Sequence, residues 1–191
     1  MAAFAVTTSP LVRRYTREEF WTLANPPGGG HDELIAGVLY IVPPPDWPHT
    51  TAGSRLNRLF SSYLVTHPEL GELFVPRAAI WTAADTYLEP ALMFVSAERL
   101  KQMDPGRLTT ADLVVEALSP STAVYDRTTK ADTCAALGVG ELWFVDTVKQ
   151  TIEQWVLGAE AWERTPMYAS GEVLSAICLP GLTCEGRAIF A

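Results

Sequence analysis

Residues 113–130, LVVEALSPSTAVYDRTTK, set the reading of this chain. The first six read as a buried strand, yet Glu116 sits among them. Burying an unpaired carboxylate costs several kcal/mol at least, so Glu116 must be protonated, paired or holding a cation. Strand residues two apart share a face, which sets Glu116 beside Val114 and Leu118, where the strand gives way to SPST. The following STAVYDRTTKADTCAALGVG reads as a helix ended by Gly138, with Lys130 well inside it and able to fold back toward that strand end. Functional groups gather at such ends in sheets flanked by helices. A cation-holding carboxylate with a lysine nearby suits phosphodiester hydrolysis: the cation neutralises phosphate and acidifies a water, and the lysine orients that water or steadies developing charge. The same residues also suit plainer roles. Glu116 can pair with Arg127 or Lys130, Lys130 with Asp126 four residues earlier, and Glu33, after Asp32, can be a solvated turn residue.

Working outward, YTREEFWTLANPPGGG predicts a short helix opened by a Thr16–Glu19 capping box and stopped by proline and glycine. HDELIAGVLYIVPPP predicts two short strands turning near Gly37. HTTAGSRLNRLFSSYLVTHPEL carries Leu56, Leu59, Phe60, Tyr63 and Leu64 at helical spacing, an amphipathic helix. ELFVPRAAIWT, LEPALMFVS, ADLVVEALS and ELWFVD are strand-like, and the tail from TIEQWVL onward predicts an antiparallel meander or hairpin finishing the sheet. The expected class is α/β or α+β, a mixed central sheet covered by helices with extra antiparallel strands at the C-terminus. A tail over residues 1–14 and one domain over 15–191 are the expected organisation.

The chain has 191 residues, 48% hydrophobic and 19% charged, as in a globular protein with a substantial core. No apolar run reaches the roughly 18 residues that span a bilayer, and the basic residues near the start follow the apolar stretch, the reverse of a secretory signal. A cytoplasmic protein without a membrane partner is expected. Cys134, Cys178 and Cys184 form no CxxC and read as reduced, mostly buried thiols. A net charge of −8 argues against tight general DNA binding through a basic surface. It leaves open a local basic cleft or carboxylates holding divalent cations.

The order ELIAGVLYIVPPP, PHTTAGSRLNRLFSSYL, EPALMFVSAERL, DLVVEALSPSTAVYDRTTKADTCAALGVGELWFVD and LPGL resembles the Uma-two family of endonucleases, which have the PD-(D/E)XK restriction-endonuclease-like fold. The resemblance runs from about residue 15 to the end and is most specific in VVEALSPST…DR…K…GVGELWFVD. It implies a Mg²⁺- or Mn²⁺-dependent DNA endonuclease acting as a homodimer. Carried onto this chain, Glu33 matches an early glutamate at the metal cleft. Glu116 matches the acid of the (D/E)XK half, with the backbone carbonyl of Ala117 a further metal ligand. Lys130 matches a lysine moved from the strand to the following helix, and Asp126 a supporting aspartate. His49 matches a histidine at the start of the second helix, with capping or packing the expected role.

The chain departs from this pattern at the acids. The family's Pro-Asp-Leu, whose aspartate is the principal metal ligand, reads Pro90-Ala91-Leu92 here, and a methyl group cannot ligate Mg²⁺. The family's IDGE reads Ile35-Ala36-Gly37-Val38. Glu89, two residues before Ala91 on the same face, starts about 6–7 Å up the strand from that position and is the candidate substitute ligand. With Ala91 in place, Glu116 is expected to pair with Lys130 directly or to be protonated, and catalysis to be weak or absent. The alternative is a non-catalytic binding protein that keeps the fold. Ser119 and Ser121 are expected to cap the helix after Pro120. His31 and His67 fall in polar turn sequence. Trp155 and Trp162, on alternating C-terminal strands, are expected to offer an exposed aromatic dimer surface.

Overall fold

The computed structural model describes residues 13–26, 28–82 and 85–190; most of the expected tail over residues 1–14 lies outside them. The strands, in chain order, are β1 (His31–Ile35), β2 (Val38–Val42), β3 (Gly71–Phe74), β4 (Ile80–Trp81), β5 (Tyr87–Leu88), β6 (Leu92–Ser96), β7 (Leu113–Leu118), β8 (Glu141–Asp146), β9 (Thr151–Leu157), β10 (Trp162–Arg164), β11 (Tyr168–Ala169), β12 (Val173–Ser175) and β13 (Thr183–Glu185). The helices are α1 (Arg17–Phe20), α2 (Trp47–Thr66), α3 (Ala97–Gln102), α4 (Ala123–Tyr125), α5 (Ala131–Ala136) and α6 (Gly186–Phe190), with a π-helical turn over Asp126–Lys130 joining α4 to α5.

A mixed sheet in the order β10-β9-β8-β7-β6-β3 forms the centre, with β11 sharing the outer edge of β9. Its one parallel pair, β7 with β8, is bridged by the α4–α5 segment, the crossover a parallel pair requires. All six residues of β7 are buried, as befits a central strand covered on both faces. Alternation sorts the side chains. Leu92, Phe94, Leu113, Val115, Trp143 and Val145 join one core with α2, β12, β13 and α6. Met93, Val95, Val114, Leu118, Leu142 and Phe144 join the other with α5 and the small antiparallel sheet β2-β1-β5-β4. By the same alternation Glu116 belongs to the second face, beside Val114 and Leu118.

Local chemistry accounts for the boundaries. Thr16 and Glu19 form the capping box that opens α1. Helix α5 ends in a Schellman motif: Val139 N–H donates to Cys134 O and Gly138 N–H to Ala135 O, with Gly138 at φ +75°. The β1–β2 turn puts both Ala36 (φ +48°) and Gly37 (φ +79°) in left-handed conformation. Alanine tolerates that geometry worse than the aspartate the resemblance would place there.

Four expectations need correction. ELFVPRAAIWT is two strands, β3 and β4, in different sheets, and LEPALMFVS likewise divides between β5 and β6, so that Glu89 and Ala91 fall in the break and share no strand face. The β12–β13 hairpin pairs only with itself among the described residues, because its Leu174 and Cys184 pack onto the α2 face and do not extend the sheet edge. Trp155 is 3% exposed, edge-on to Phe144, and Trp162 packs on the second core with its indole N–H donating to Ala131 O at 3.1 Å. Trp155 is core and Trp162 half-buried against it, since the α4–α5 side covers the strand face that alternation turns outward. Finally, Ser119 Oγ accepts Thr122 N–H at 3.3 Å, but Ser121 meets only Ser119 Oγ and caps nothing. The three cysteines are free thiols, Cys134 and Cys184 buried.

Candidate active site

Three elements converge on the second face of the sheet. Strand β7 brings Glu116, 7% exposed; β1 brings Glu33, fully buried; the π-helical turn brings Asp126 and Lys130, both buried. The turn is defined by Ala131 N–H donating five residues back to Asp126 O. Such widened turns inside helices often mark functional sites. Lys130 Nζ lies 2.9 Å from Glu33 Oε1 and 2.8 Å from Glu116 Oε1, so one ammonium spans both carboxyls. Glu33 is further held by Glu89 N–H to Oε1 (2.8 Å) and Tyr125 O–H to Oε2 (2.7 Å). Tyr125 stacks on Tyr40 with ring centroids 4.6 Å apart.

Burial opposes the charge on Glu33, but the Lys130 ammonium, the nearby His31 ring and the hydrogen bond from Tyr125 outweigh it and hold the carboxyl down at about 2. Glu116 goes the other way. Burial, helped by the negative charges of Asp126 and Glu33, overrides Lys130 and lifts it to about 8. Burial raises Asp126 as well, and it would lower Lys130 but for Glu116, Glu33 and Asp126, which together raise it. Lys130 thus holds Glu33 in its ionised form, while burial favours the protonated form of Glu116.

These shifts have opposite signs in stability. Glu33, depressed in the fold, adds stability as pH rises from about 2 to its ordinary 4.5. Glu116, raised in the fold, loses stability as pH rises from 4.5 to about 8, where the unfolded chain has already released the proton. Unfolding temperature measured against pH is expected to keep its acid rise in Glu116→Gln and to lose most of its decline above pH 4.5. A decline equal to the parent's would put the retained proton elsewhere, Asp126 foremost.

The other expected residues gather around the same site. Ala91 precedes β6, whose Leu92 pairs with Val115; carrying that register on by one sets Ala91 abreast of Glu116. Cross-strand neighbours lie about 5 Å apart, so this methyl stands where an acid would face Glu116. Glu89 accepts from Tyr87 O–H (2.8 Å) and Arg77 (3.2 Å), so both its oxygens are engaged away from the triad. Asp46 caps α2 by accepting His49 N–H at 2.9 Å, and burial pulls the His49 imidazole below its usual range. Ala91, Glu89, His49, Ala117, Glu116, Asp126 and Lys130 all line one cavity of about 620 Å³.

Of the open pairings, Glu116 takes Lys130, while Arg127 pairs with Glu153. Tyr125 and His31 are additions; His31, on β1, brings Nε2 within 3.8 Å of Glu33 Oε1. Lying two residues before Glu33 on one strand, and five before Lys130 in the helix, they carried only their spacing as a signal.

The comparisons with known proteins meet this geometry. The Uma2 family model, described as "Putative restriction endonuclease", matches residues 17–187. The chain belongs to this family. Among solved structures, a crystal structure described as "a putative nuclease belonging to DUF820" from Anabaena variabilis is similar to this Uma2 chain with a TM-score of 0.73, at 17% identity, over 92% of this chain and 97% of that one. The two share the fold. No curated protein matches the sequence. No helix among the described residues is long and apolar enough to cross a membrane.

A divalent cation is what endonucleases of this kind generally use, and the residues of this Uma2 chain do not fit one. Lys130 Nζ fills the space between Glu33 and Glu116, Ala91 offers a methyl, and among the described residues no group of three or more His, Cys, Asp or Glu is placed to hold a metal ion. Mg²⁺ is usually held through one or two carboxylates with waters completing its octahedron, and here the ammonium stands between the two carboxyls that could serve.

Proposed function

We propose that this chain is a DNA endonuclease of the PD-(D/E)XK type whose centre has closed, so that Mg²⁺- or Mn²⁺-dependent phosphodiester hydrolysis is weak or lost. The observation that carries this reading is Lys130 Nζ at 2.9 and 2.8 Å from Glu33 and Glu116, with Ala91 abreast of Glu116. An ammonium claimed by two carboxyls is not free to orient a water or steady a leaving oxygen. Glu116, whose proton burial favours and whose Oε1 is taken by Lys130, is a poor ligand as it stands. An aspartate at position 91 would set a second oxygen donor beside Glu116, draw it into its ionised form around a cation, and release Lys130 for catalysis. The same reading makes Glu33, Glu116 and Lys130 the working groups, Asp126 and His49 their supports, and a homodimer the cutting unit.

Plasmid nicking with Mg²⁺ and Mn²⁺ tests it. Ala91→Asp is expected to nick at least tenfold faster than the parent, and Glu116→Ala in the Asp background to abolish the gain. A parent that cuts as fast as Ala91→Asp contradicts the closed centre. The cavity, still about 620 Å³, favours a second reading, a non-catalytic binding protein on the same fold. That reading moves ahead if neither protein cuts.

A further inference from the structure

The turn joining β3 to β4 holds an arginine where the backbone calls for glycine. Ala78 N–H donates to Val75 O at 3.1 Å, closing a β-turn with Pro76 and Arg77 at its centre. Arg77 has φ +78°, and proline fixes the residue before it at φ about −65°, so the turn is type II. Its third position favours glycine, because a Cβ there crowds the backbone. Three non-glycine residues have positive φ among the described residues. Ala36 and Gln150 lie in the β1–β2 and β8–β9 hairpin turns, and only Arg77 lines the cavity that holds the triad.

Strain of this kind persists where the side chain is needed for something other than the fold. The Arg77 side chain is 67% exposed, and among the described residues its ion pairing is one contact, Nη1 to Glu89 Oε2 at 3.2 Å. An exposed pair of that sort stabilises little, less than a left-handed arginine costs. Glu89 therefore does not explain the arginine, although it orients it: Tyr87 O–H fixes Glu89 Oε1 at 2.8 Å, and Oε2 holds Nη1. The remaining edge, Nε and Nη2, meets no acceptor among the described residues. Two parallel N–H groups on such an edge match two oxygens of an oxyanion. Lys130 is claimed by Glu33 and Glu116, so Arg77 is the cation of this cavity that an incoming anion can reach.

We infer that Arg77 is a phosphate-binding residue, gripping two phosphate oxygens through Nε and Nη2 while Glu89 steadies Nη1. The choice of phosphate over another oxyanion rests on the nuclease reading above. The phosphate belongs to a nucleic-acid backbone or to a free phosphate ester. On a chain of net charge −8, a single well-placed arginine supplies locally the contact that a basic surface would supply broadly.

Arg77→Gly provides the test, because a binding role and a structural role predict opposite changes in stability. Glycine suits the turn, so the variant should melt about 2 °C above the parent while losing the contact. Binding of a short labelled single strand and its duplex is measured by fluorescence anisotropy across a salt series. Binding of thymidine monophosphate and inorganic phosphate is measured by ³¹P NMR, all without divalent cations. Arg77→Gly should weaken whichever phosphate the parent binds about tenfold, and on DNA should also reduce the salt slope by about one. Arg77→Lys, which keeps the charge but not the paired N–H edge, should fall between the two. A loss on DNA alone identifies a backbone phosphate, a loss on the small phosphates alone a free ester, and a loss on both a backbone site that the free ester imitates. A parent that binds none of these probes overturns the inference, as does an Arg77→Gly that binds like the parent. So does an Arg77→Gly that melts lower, since Arg77 would then be holding the turn. Binding lost in Arg77→Gly without nicking by Ala91→Asp sinks the endonuclease reading and leaves this one standing; nicking by Ala91→Asp with binding unchanged in Arg77→Gly does the reverse.

Discussion

Lys130→Met is expected to lower the free energy of unfolding by about 3–5 kcal/mol at neutral pH, the cost of stranding a buried charge. Methionine keeps much of the length and apolar stem, so packing changes little while the ammonium is lost. Glu33 is the side chain left exposed to the consequence. It is fully buried, ionised down to about pH 2, and without Lys130 it keeps two close donors, Glu89 N–H and Tyr125 O–H. Two neutral hydrogen bonds do not replace a cation at 2.9 Å. The deficit should shrink as pH falls toward 4, where Glu33 in the variant can take up a proton. Adding Glu33→Gln should recover much of the loss, because an amide needs no counter-charge. Urea unfolding of the single and double variants decides the matter. A single variant within about 1 kcal/mol of the parent at neutral pH would mean that Glu33 takes up a proton at little cost, and that the triad does not hold the fold.

A loss of similar size is expected far from the cavity, in Glu141→Ala. Glu141 is 1% exposed and, among the described residues, makes no salt bridge, yet its carboxylate is fully used. Oε1 accepts from Trp143 Nε1 (2.7 Å) and Gln154 Nε2 (2.6 Å), and Oε2 accepts the backbone N–H groups of Ile177 and Cys178 (3.0 Å each). It thereby ties β8 to β9 and to the loop before β13. Alanine orphans four donors, several of them inside the core that seats α2, at about 1–3 kcal/mol for each that water cannot reach. A total near 4 kcal/mol is expected from thermal and urea unfolding. Glu141→Gln should cost about half as much, since its NH₂ would face N–H donors on one side while the other oxygen still accepts. Equal losses in the two variants would show that packing, not acceptance, is what Glu141 supplies.

The fold and most of the site could be read from the chain because their signals are local. An apolar strand interrupted by Glu116, a helix beginning after SPST, and Gly138 closing it are patterns within a few residues of each other, and they fixed the β7–helix–β8 unit correctly. The antiparallel strands against it followed from alternation. The departures came where a partner distant in sequence decides. Trp155 alternates like a surface residue, but the face it points to is covered by the α4–α5 side. Glu33 reads as a turn acid until β1 is laid against Lys130, 97 residues on. Glu141, inside GVGELWFVD, carries no local signal of its role, because its four donors come from β8, β9 and the 177–178 loop. Tyr125 is one aromatic among several until its hydroxyl is seen on Glu33.

The widened turn over Asp126–Lys130 has a bearing on how this site can be copied or lost. Each residue of an ordinary helix advances the direction of its side chain by about 100°. The bulge carries surplus chain within one turn, and Lys130 lies at its end. Deleting a single threonine from the Thr128–Thr129 pair would restore regular α-helix with the flanking residues near their present directions, whereas straightening the turn with its length kept would swing Lys130 away from both glutamates. The spacing between aspartate and lysine is thus meaningful only together with the irregularity that contains it. Grafting this centre onto another scaffold means transplanting the bulge, not merely the side chains, because the same letters on a straight helix would point the lysine elsewhere.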